Sequence, residues 1–533
     1  MKKSSWLLIA LFVGLIFLTR FWRLDSLPPS PYEEEVALGY EAFSLWKTGK
    51  DHHGNEWPLL ALQSFGDWKP ALYAYSIIPF LPLFDLSVLA VRLPSALAGL
   101  SIIISLISLA RFLKLNWQWT ALAAITSPWL IMFSRAAWEA NLATALITAA
   151  VALYFWQTTW SRPSRRALAI VLAALLLGAS AYTYHSARVI VPLLVMGITV
   201  WSLWPFDFSV KSLLKRIASV DGKLSLLHAV FAFLCVLPLL MFARQPMIAQ
   251  RALETSFIGT PELVAQAIAQ DIHPYVLYAR EFTKNYLLHL DPRFLFVNGD
   301  INPRHTSQQT ALFYWFDIVV LALGAALVFR KLSKSNVFLL FWLAISLVPV
   351  AITKDVPHAL RILPAAPVFM LLLGLGYAHA ARLLGSRFKR NQIGVFIMAV
   401  IMGMQFFFFW HYYVNVYPKQ WSAVWQYGLE EVMAKTDEYV TAHSERDVYF
   451  YRTINRPLMY YWFYNKTNPE EVQAIAQDFP GEVQRFGRLH IGEPESSPAL
   501  YVHRGAAEQP SGAVLWHTVT YLNGEPAWKL YER

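Results

Sequence analysis

Apolar residues along this chain come neither in strict alternation nor in narrow helical stripes, but in long unbroken runs parted by short polar segments. Runs of about 18 residues or more are long enough for a helix to cross roughly 30 Å of hydrocarbon. They predict about eleven spans, near residues 5–22, 92–110, 117–133, 140–158, 167–184, 189–204, 225–242, 312–329, 336–352, 362–381 and 391–411. Segment 71–84 (ALYAYSIIPFLPLF) is apolar but short and holds two prolines, which fits a re-entrant or interfacial piece better than a span. The opening MKKSSWLLIALFVGLIFL resembles a signal peptide, yet it lacks a small-x-small cleavage site and reads as an uncleaved first helix.

Beyond residue 412 the pattern changes. DVYFYRT (447–453), RLHIG and ALYVHR read as short strands, and PEEVQAIAQDF (469–479) as a helix. Two alternating runs around Asn523-Gly524 predict a hairpin. The fold class is therefore a polytopic α-helical membrane protein with a small C-terminal soluble α/β domain. The boundaries fall at 1–413, with outer loops 25–91 and 243–311, and at 414–533.

Composition supports that reading: 56% of the 533 residues are hydrophobic and only 15% charged. The net charge of +10 could point to nucleic acid, but the basic residues sit in short blocks between spans. With the N-terminus in the cytoplasm, the cytoplasmic connections carry Lys2 and Lys3; Arg111 and Lys114; Arg162, Arg165 and Arg166; Lys211, Lys215 and Arg216; Arg330, Lys331 and Lys334; and Arg382, Arg387, Lys389 and Arg390. Positive-inside topology in a plasma (inner) membrane explains these blocks without a nucleic-acid partner. The single cysteine, Cys235, excludes an internal disulfide and a cysteine-based metal centre.

The opposite connections mix acids, bases, His, Tyr and Asn, so chemistry is expected on the outer face. The stretch PSPYEEEVALGYEAF (29–43) places Glu33, Glu34 and Glu35 side by side, where mutual repulsion favours a proton or a cation. Neighbours on a helix point about 100° apart, so one or two of the three can face a site. SFGDWKPALYAY (64–75) supplies Asp67 and Lys69, the latter a point charge suited to phosphate or a headgroup anchor. FSRAAWEANLAT (133–144) spaces Arg135 and Glu139 for one helix face, as a site pair or a structural ion pair. SAYTYHSARVIVP (180–192) clusters Tyr182, Tyr184, His185 and Arg188, and His185 could share an ion with Glu34 and Glu35. FLFVNGDINPRH (294–305) brings Asp300, Arg304 and His305 into a turn-rich loop. TKDVPHALRILPAAP (353–367) sets Lys354, His358 and Arg361 at the outer start of a span, where an anionic headgroup would satisfy Arg361.

In content and in order, these strings resemble the GT-C class of polyprenyl-phosphate-sugar-dependent glycosyltransferases, among them relatives of protein O-mannosyltransferases and of the lipid A aminoarabinose transferase. The carriers, over roughly residues 5 to 415, are LPPSPYEEEVALGYEAFSLWKTGKDHHGNEWPL, SFGDWKPALYAY, RLPSALAG, FSRAAWEANLA, YTYHSAR, FLFVNGDINPRH and VPHALRILPAAP. The resemblance implies a sugar donor linked to polyprenyl phosphate, an acceptor hydroxyl on a protein, glycolipid or polysaccharide, and membrane lipids as surroundings. It places the family's Asp-Glu pair on Glu34 and Glu35, one of which is the general base, with Glu34 where Asp is usual. Roles on the lipid phosphate carry over to Lys69 and Arg361, with His358 and Arg188 beside them, and a divalent cation could assist. The implied mechanism is a single displacement with inversion at the anomeric carbon. A transporter or flippase of lipid-linked sugars would call for charges or broken helices at mid-span. A non-catalytic scaffold would leave the carboxylates without a chemical task.

Overall fold

The computed structural model describes residues 3–204, 210–242, 254–479, 481–492 and 498–533. Lys2 and the first part of the 243–311 loop, residues 243–253, lie outside the described residues. Each predicted span overlaps helix, although the helix in 312–329 begins only at Asp317 and that in 167–184 ends at Ala181. Seven helices are long and apolar enough to cross a membrane: Val88–Phe112, Glu139–Gln157, Pro163–Ala181, Val220–Phe242, Lys334–Ala351, Leu363–Arg387 and Asn391–Asn415. Trp6–Phe21, Leu72–Phe84 and Ala187–Leu203 are shorter apolar helices. The protein is a multi-pass membrane protein.

The chain divides into two compact units. The first comprises Met1–Trp22, Ser95–Ser134 and Trp138–Phe409 and holds most of the apolar helices. Its predicted span 117–133 is broken into Trp117–Thr126 and Pro128–Ser134, because Pro128 disfavours helix at Ser127. A helix end among apolar neighbours leaves carbonyls that water cannot reach. Here Arg20, itself buried, donates to Ala124 O (2.9 Å) and Ile125 O (3.0 Å), and Tyr314 Oη donates to Thr126 O (2.5 Å). The cation also suits the negative end of the helix dipole.

Elsewhere in this unit small residues let backbones meet. Helix Asp317–Arg330 packs on Ala366–Arg387, and a Cβ on Gly324 or Gly376 would strike the backbone of the facing helix. Such crossings are how helices associate when lipid removes the hydrophobic contrast. Gly376→Val is expected to lower stability by about 1–3 kcal/mol through overpacking. Thermal unfolding in detergent reads this, and an unchanged midpoint would mean that the crossing has slack.

The second unit comprises Arg23–Pro94, Arg135–Ala137 and Trp410–Arg533. Its main sheet has six strands: β3 (Asp447–Phe450), β4 (Arg485–Phe486), β5 (Leu489–Ile491), β6 (Ala499–Arg504), β7 (Val514–Thr520) and β8 (Pro526–Glu532). They lie in the order β4-β5-β3-β6-β8-β7, with β3 parallel to β5 and β6 and the other pairings antiparallel. The expected hairpin is β7–β8, turning through Gly524 at φ 90°. The tail is thus an α/β domain, and its unit also takes in the first loop. Helix Glu33–Thr48 packs on helix Pro457–Tyr464, whose residues Pro457 to Phe463 are all buried. Tyr40 Oη donates to Thr467 O (2.9 Å), and Gln473 Nε2 donates to Ser44 Oγ (2.9 Å) and Thr48 Oγ1 (2.8 Å).

Candidate functional site

In the second unit, the three glutamates form the first turn of helix Glu33–Thr48, where carboxylates face the positive end of the helix dipole. Gly49, at φ 73°, ends the helix in the left-handed conformation that glycine takes without a Cβ penalty. The helical twist gives the three side chains different fates. Glu35 points into the protein and is fully buried. Its Oε1 accepts from Arg92 Nε (2.9 Å) and Ala137 N (2.9 Å), and its Oε2 accepts from Arg92 Nη2 (3.0 Å) and Tyr32 N (3.4 Å). Arg92 spends its remaining N–H groups on Leu24 O (3.1 Å), Pro28 O (2.8 Å) and Ser30 O (2.8 Å). Every donor of the guanidinium is used.

Glu34 points the other way and its side chain stays 36% exposed. It forms an ion pair with Lys69. That lysine is delivered by a two-stranded hairpin, β1 (Leu62–Ser64) and β2 (Asp67–Lys69), whose turn residues Phe65 and Gly66 have φ of 55° and 81°. A left-handed φ costs a residue with a Cβ about 1–2 kcal/mol. The Phe65 ring packs beside Lys69 Nζ (5.4 Å) and under Arg456 (4.2 Å). Asp67 turns inward on its own hairpin, its Oδ1 accepting from Trp68 N (2.7 Å). Glu33 is held by its backbone, whose N–H donates to Gln426 Oε1 (3.1 Å). Gln426 is in turn hydrogen-bonded to Tyr460. An ion held by Glu34 and Glu35 would have to displace Lys69 and Arg92, so this carboxylate pair does not offer a ready metal site.

Arg135, in the same unit, lies outside any helix, since helix Pro128–Ser134 has ended and Glu139 only opens the next. The expected shared helix face for Arg135 and Glu139 is therefore corrected. The reason is local: the buried Arg135 guanidinium satisfies Leu27 O (3.2 Å) and Arg23 O (3.1 Å), backbone groups of the first loop. Burial pushes it down to about 10, which leaves it charged near neutrality.

The first unit assembles a second cluster. Asp300, His305 and His358 have ligand-type atoms all within 4.8 Å of one another, the one such group among the described residues. Asp300 Oδ2 lies 2.9 Å from His305 Nδ1 and 3.7 Å from His358 Nδ1, and it accepts from Ala359 N (2.7 Å). Its Oδ1 accepts from Asn302 N (2.9 Å), and its backbone carbonyl from Thr306 Oγ1 (3.0 Å) and Gln308 Nε2 (2.7 Å). The loop is knotted around this one residue. Burial works against the Asp300 charge, but the hydrogen bond from His305 holds the carboxyl below the usual range. Burial, with His305 and Arg361 adding, pushes His358 down to about 3, so its imidazole is neutral at physiological pH. The cluster opens on a cavity of about 770 Å³ whose lining includes Arg293, Asn298, Asn302 and Lys354.

The other predicted residues of this unit are more scattered. Arg361 is anchored to Thr353 Oγ1 (2.8 Å) and faces Asp355 (3.5 Å), so it already has an acidic neighbour. Tyr184 is half-buried; desolvation raises its hydroxyl, with Glu139 adding and Arg361 opposing. Tyr182 Oη donates to Cys235 O (2.8 Å), and Arg188 Nε donates to Ala181 O (3.2 Å). His185 sits in the turn between helices Pro163–Ala181 and Ala187–Leu203, and Arg304 N donates to Asn302 Oδ1 (3.0 Å). Sequence reasoning missed Arg92, although it heads the quoted RLPSALAG. A lone arginine entering an apolar run was the available signal. It also missed His289, whose Nε2 accepts from His358 N (3.0 Å).

No protein-family model matches this chain, and no curated protein matches it by sequence. Solved structures do. ArnT from Cupriavidus metallidurans matches in its apo state and bound to undecaprenyl phosphate, each with a TM-score of 0.55 at 13% identity, over 99% of this chain and 98% of ArnT. The archaeal oligosaccharyltransferase AglB from Archaeoglobus fulgidus, in complex with an inhibitory peptide and a dolichol-phosphate, matches with a TM-score of 0.50 at 11% identity, over 87% of this chain and 64% of AglB. The chain shares the fold of these proteins. That agrees with the fold expected from the order of its motifs, and at these identities the likeness concerns fold alone.

Proposed function

We propose that this protein is a membrane glycosyltransferase that moves a sugar from a polyprenyl-phosphate donor to an acceptor hydroxyl, with inversion. The observation that carries the reading is the division of labour among the glutamates: Glu35 is locked by Arg92, while Glu34 is partly open beside Lys69. A base must reach the proton it takes and a buried, fully hydrogen-bonded carboxylate cannot. Glu34 is therefore the base and Glu35 the residue that fixes the helix start. Lys69 then neutralises the phosphate that leaves. The fold adds support, since two proteins that share it have been solved with undecaprenyl phosphate and with dolichol-phosphate. The basic blocks between spans support an N-terminus in the cytoplasm and a site on the outer face of the plasma membrane. The acceptor belongs to one of three classes: protein, glycolipid or polysaccharide.

The test is transfer by the purified protein in liposomes from a panel of radiolabelled polyprenyl-phosphate sugars to membrane extract. Label is expected to move from at least one donor. Lys69→Met is expected to slow transfer by about 10²-fold or more, as for loss of one group that stabilises developing charge. If no donor in the panel is bound, the reading fails and a flippase or scaffold takes its place.

A further inference from the structure

We propose that Asp300, His305 and His358 form a binding site for one divalent cation of the zinc class, with an open coordination position facing the adjoining cavity. Two imidazoles and one carboxylate are a ligand set that zinc accepts, and three protein ligands leave a fourth position for water or an anionic oxygen. At zinc bond lengths of about 2.0–2.2 Å, tetrahedral ligand atoms lie about 3.4 Å apart. The separations from Asp300 Oδ2, 2.9 Å to His305 Nδ1 and 3.7 Å to His358 Nδ1, fall on either side of that value. Small ring rotations reach it.

Three further features favour an ion over a simple loop contact. His358 Nδ1 is buried and has no hydrogen-bond partner, although it lies beside the carboxylate that could satisfy it. The carboxylate is aimed by Ala359 N and Asn302 N, the sort of outer hydrogen bonds that orient metal ligands. His305 is wedged between Phe133 (ring centroids 5.8 Å) and Trp138 (5.2 Å), so its ring is positioned by packing. On the cavity side, Arg293 and Lys354 stand with Asp291 and Asp355 in the lining, a polar surround in which water can fill the fourth position.

The test uses the full-length protein in detergent, stripped with a chelator and titrated with zinc chloride, with bound metal counted after desalting. Cobalt substitution gives an independent optical signature of ligand geometry. Wild type is expected to bind about one zinc per chain, and His358→Gln to weaken binding by more than about 100-fold, since even outer-shell changes cost 10–100-fold. Asp300→Asn is expected to do the same, but it also disturbs the loop. His358→Gln keeps the test decisive, because the His358 Nδ1 that would meet the ion makes no hydrogen bond within the fold. The proposal is overturned if wild type binds no zinc, or if both variants bind it as well as wild type does. It stands independently of sugar transfer: Glu34→Gln should retain the zinc whether or not the protein is a transferase.

Discussion

Glu34→Gln is expected to slow sugar transfer by about 10²–10⁴-fold while leaving the protein folded and the donor bound. Glutamine keeps the length of the side chain and an oxygen that can accept from Lys69, but it cannot take a proton from the acceptor hydroxyl. At about 1.36 kcal/mol per tenfold, the loss corresponds to roughly 3–5 kcal/mol of transition-state stabilisation. Stability should change far less. Half-exposed ion pairs such as Glu34–Lys69 contribute about 0–1 kcal/mol, so the drop cannot be explained by unfolding. With Lys69 released from its partner, the donor phosphate should bind as well as before or better, and the effect should fall on kcat with KM unchanged or lowered. Measuring both constants in liposomes, with a thermal midpoint on the same sample, separates the cases. Transfer at the wild-type rate would remove Glu34 as the base, and a loss that tracks unfolding would make it structural.

The sequence was a good guide to whatever depends on local pattern. Apolar run length located the seven helices long enough to cross, because crossing hydrocarbon sets a minimum helix length wherever the chain does it. Asn523-Gly524 marked the β7–β8 turn because only certain residues tolerate positive φ there. Long-range meetings were hidden. His305 and His358 were each picked out as site residues, but nothing in either stretch says that both meet Asp300. The acidic row was visible, yet which glutamate turns inward depends on where the helix begins, and the Tyr32 cap fixes that phase. Arg135 and Glu139 misled because a spacing of four means a shared face only inside a continuous helix, and the helix breaks between them.

Arg92→Leu should be the most destabilising substitution in the second unit, costing about 3–5 kcal/mol, because it strands a buried carboxylate. Buried ion pairs often gain little over apolar residues of the same shape, so a double replacement that removes Glu35 as well would ordinarily recover stability. Here it should not. The guanidinium also satisfies Leu24 O, Pro28 O and Ser30 O, and the carboxylate satisfies Ala137 N and Tyr32 N. An apolar pair would leave these five backbone groups without partners, each buried polar group costing about 1–3 kcal/mol. Glu35→Gln is the milder change, since the amide can still accept from the arginine on one side. Thermal midpoints for Arg92→Leu, Glu35→Leu and the double variant form a cycle that reads the coupling. If the double variant regains wild-type stability, the pair matters only to itself. If it stays as unstable as Arg92→Leu, Arg92 is the post on which residues 24–35 are wound, and Glu34 faces outward because Glu35 is tied to that post.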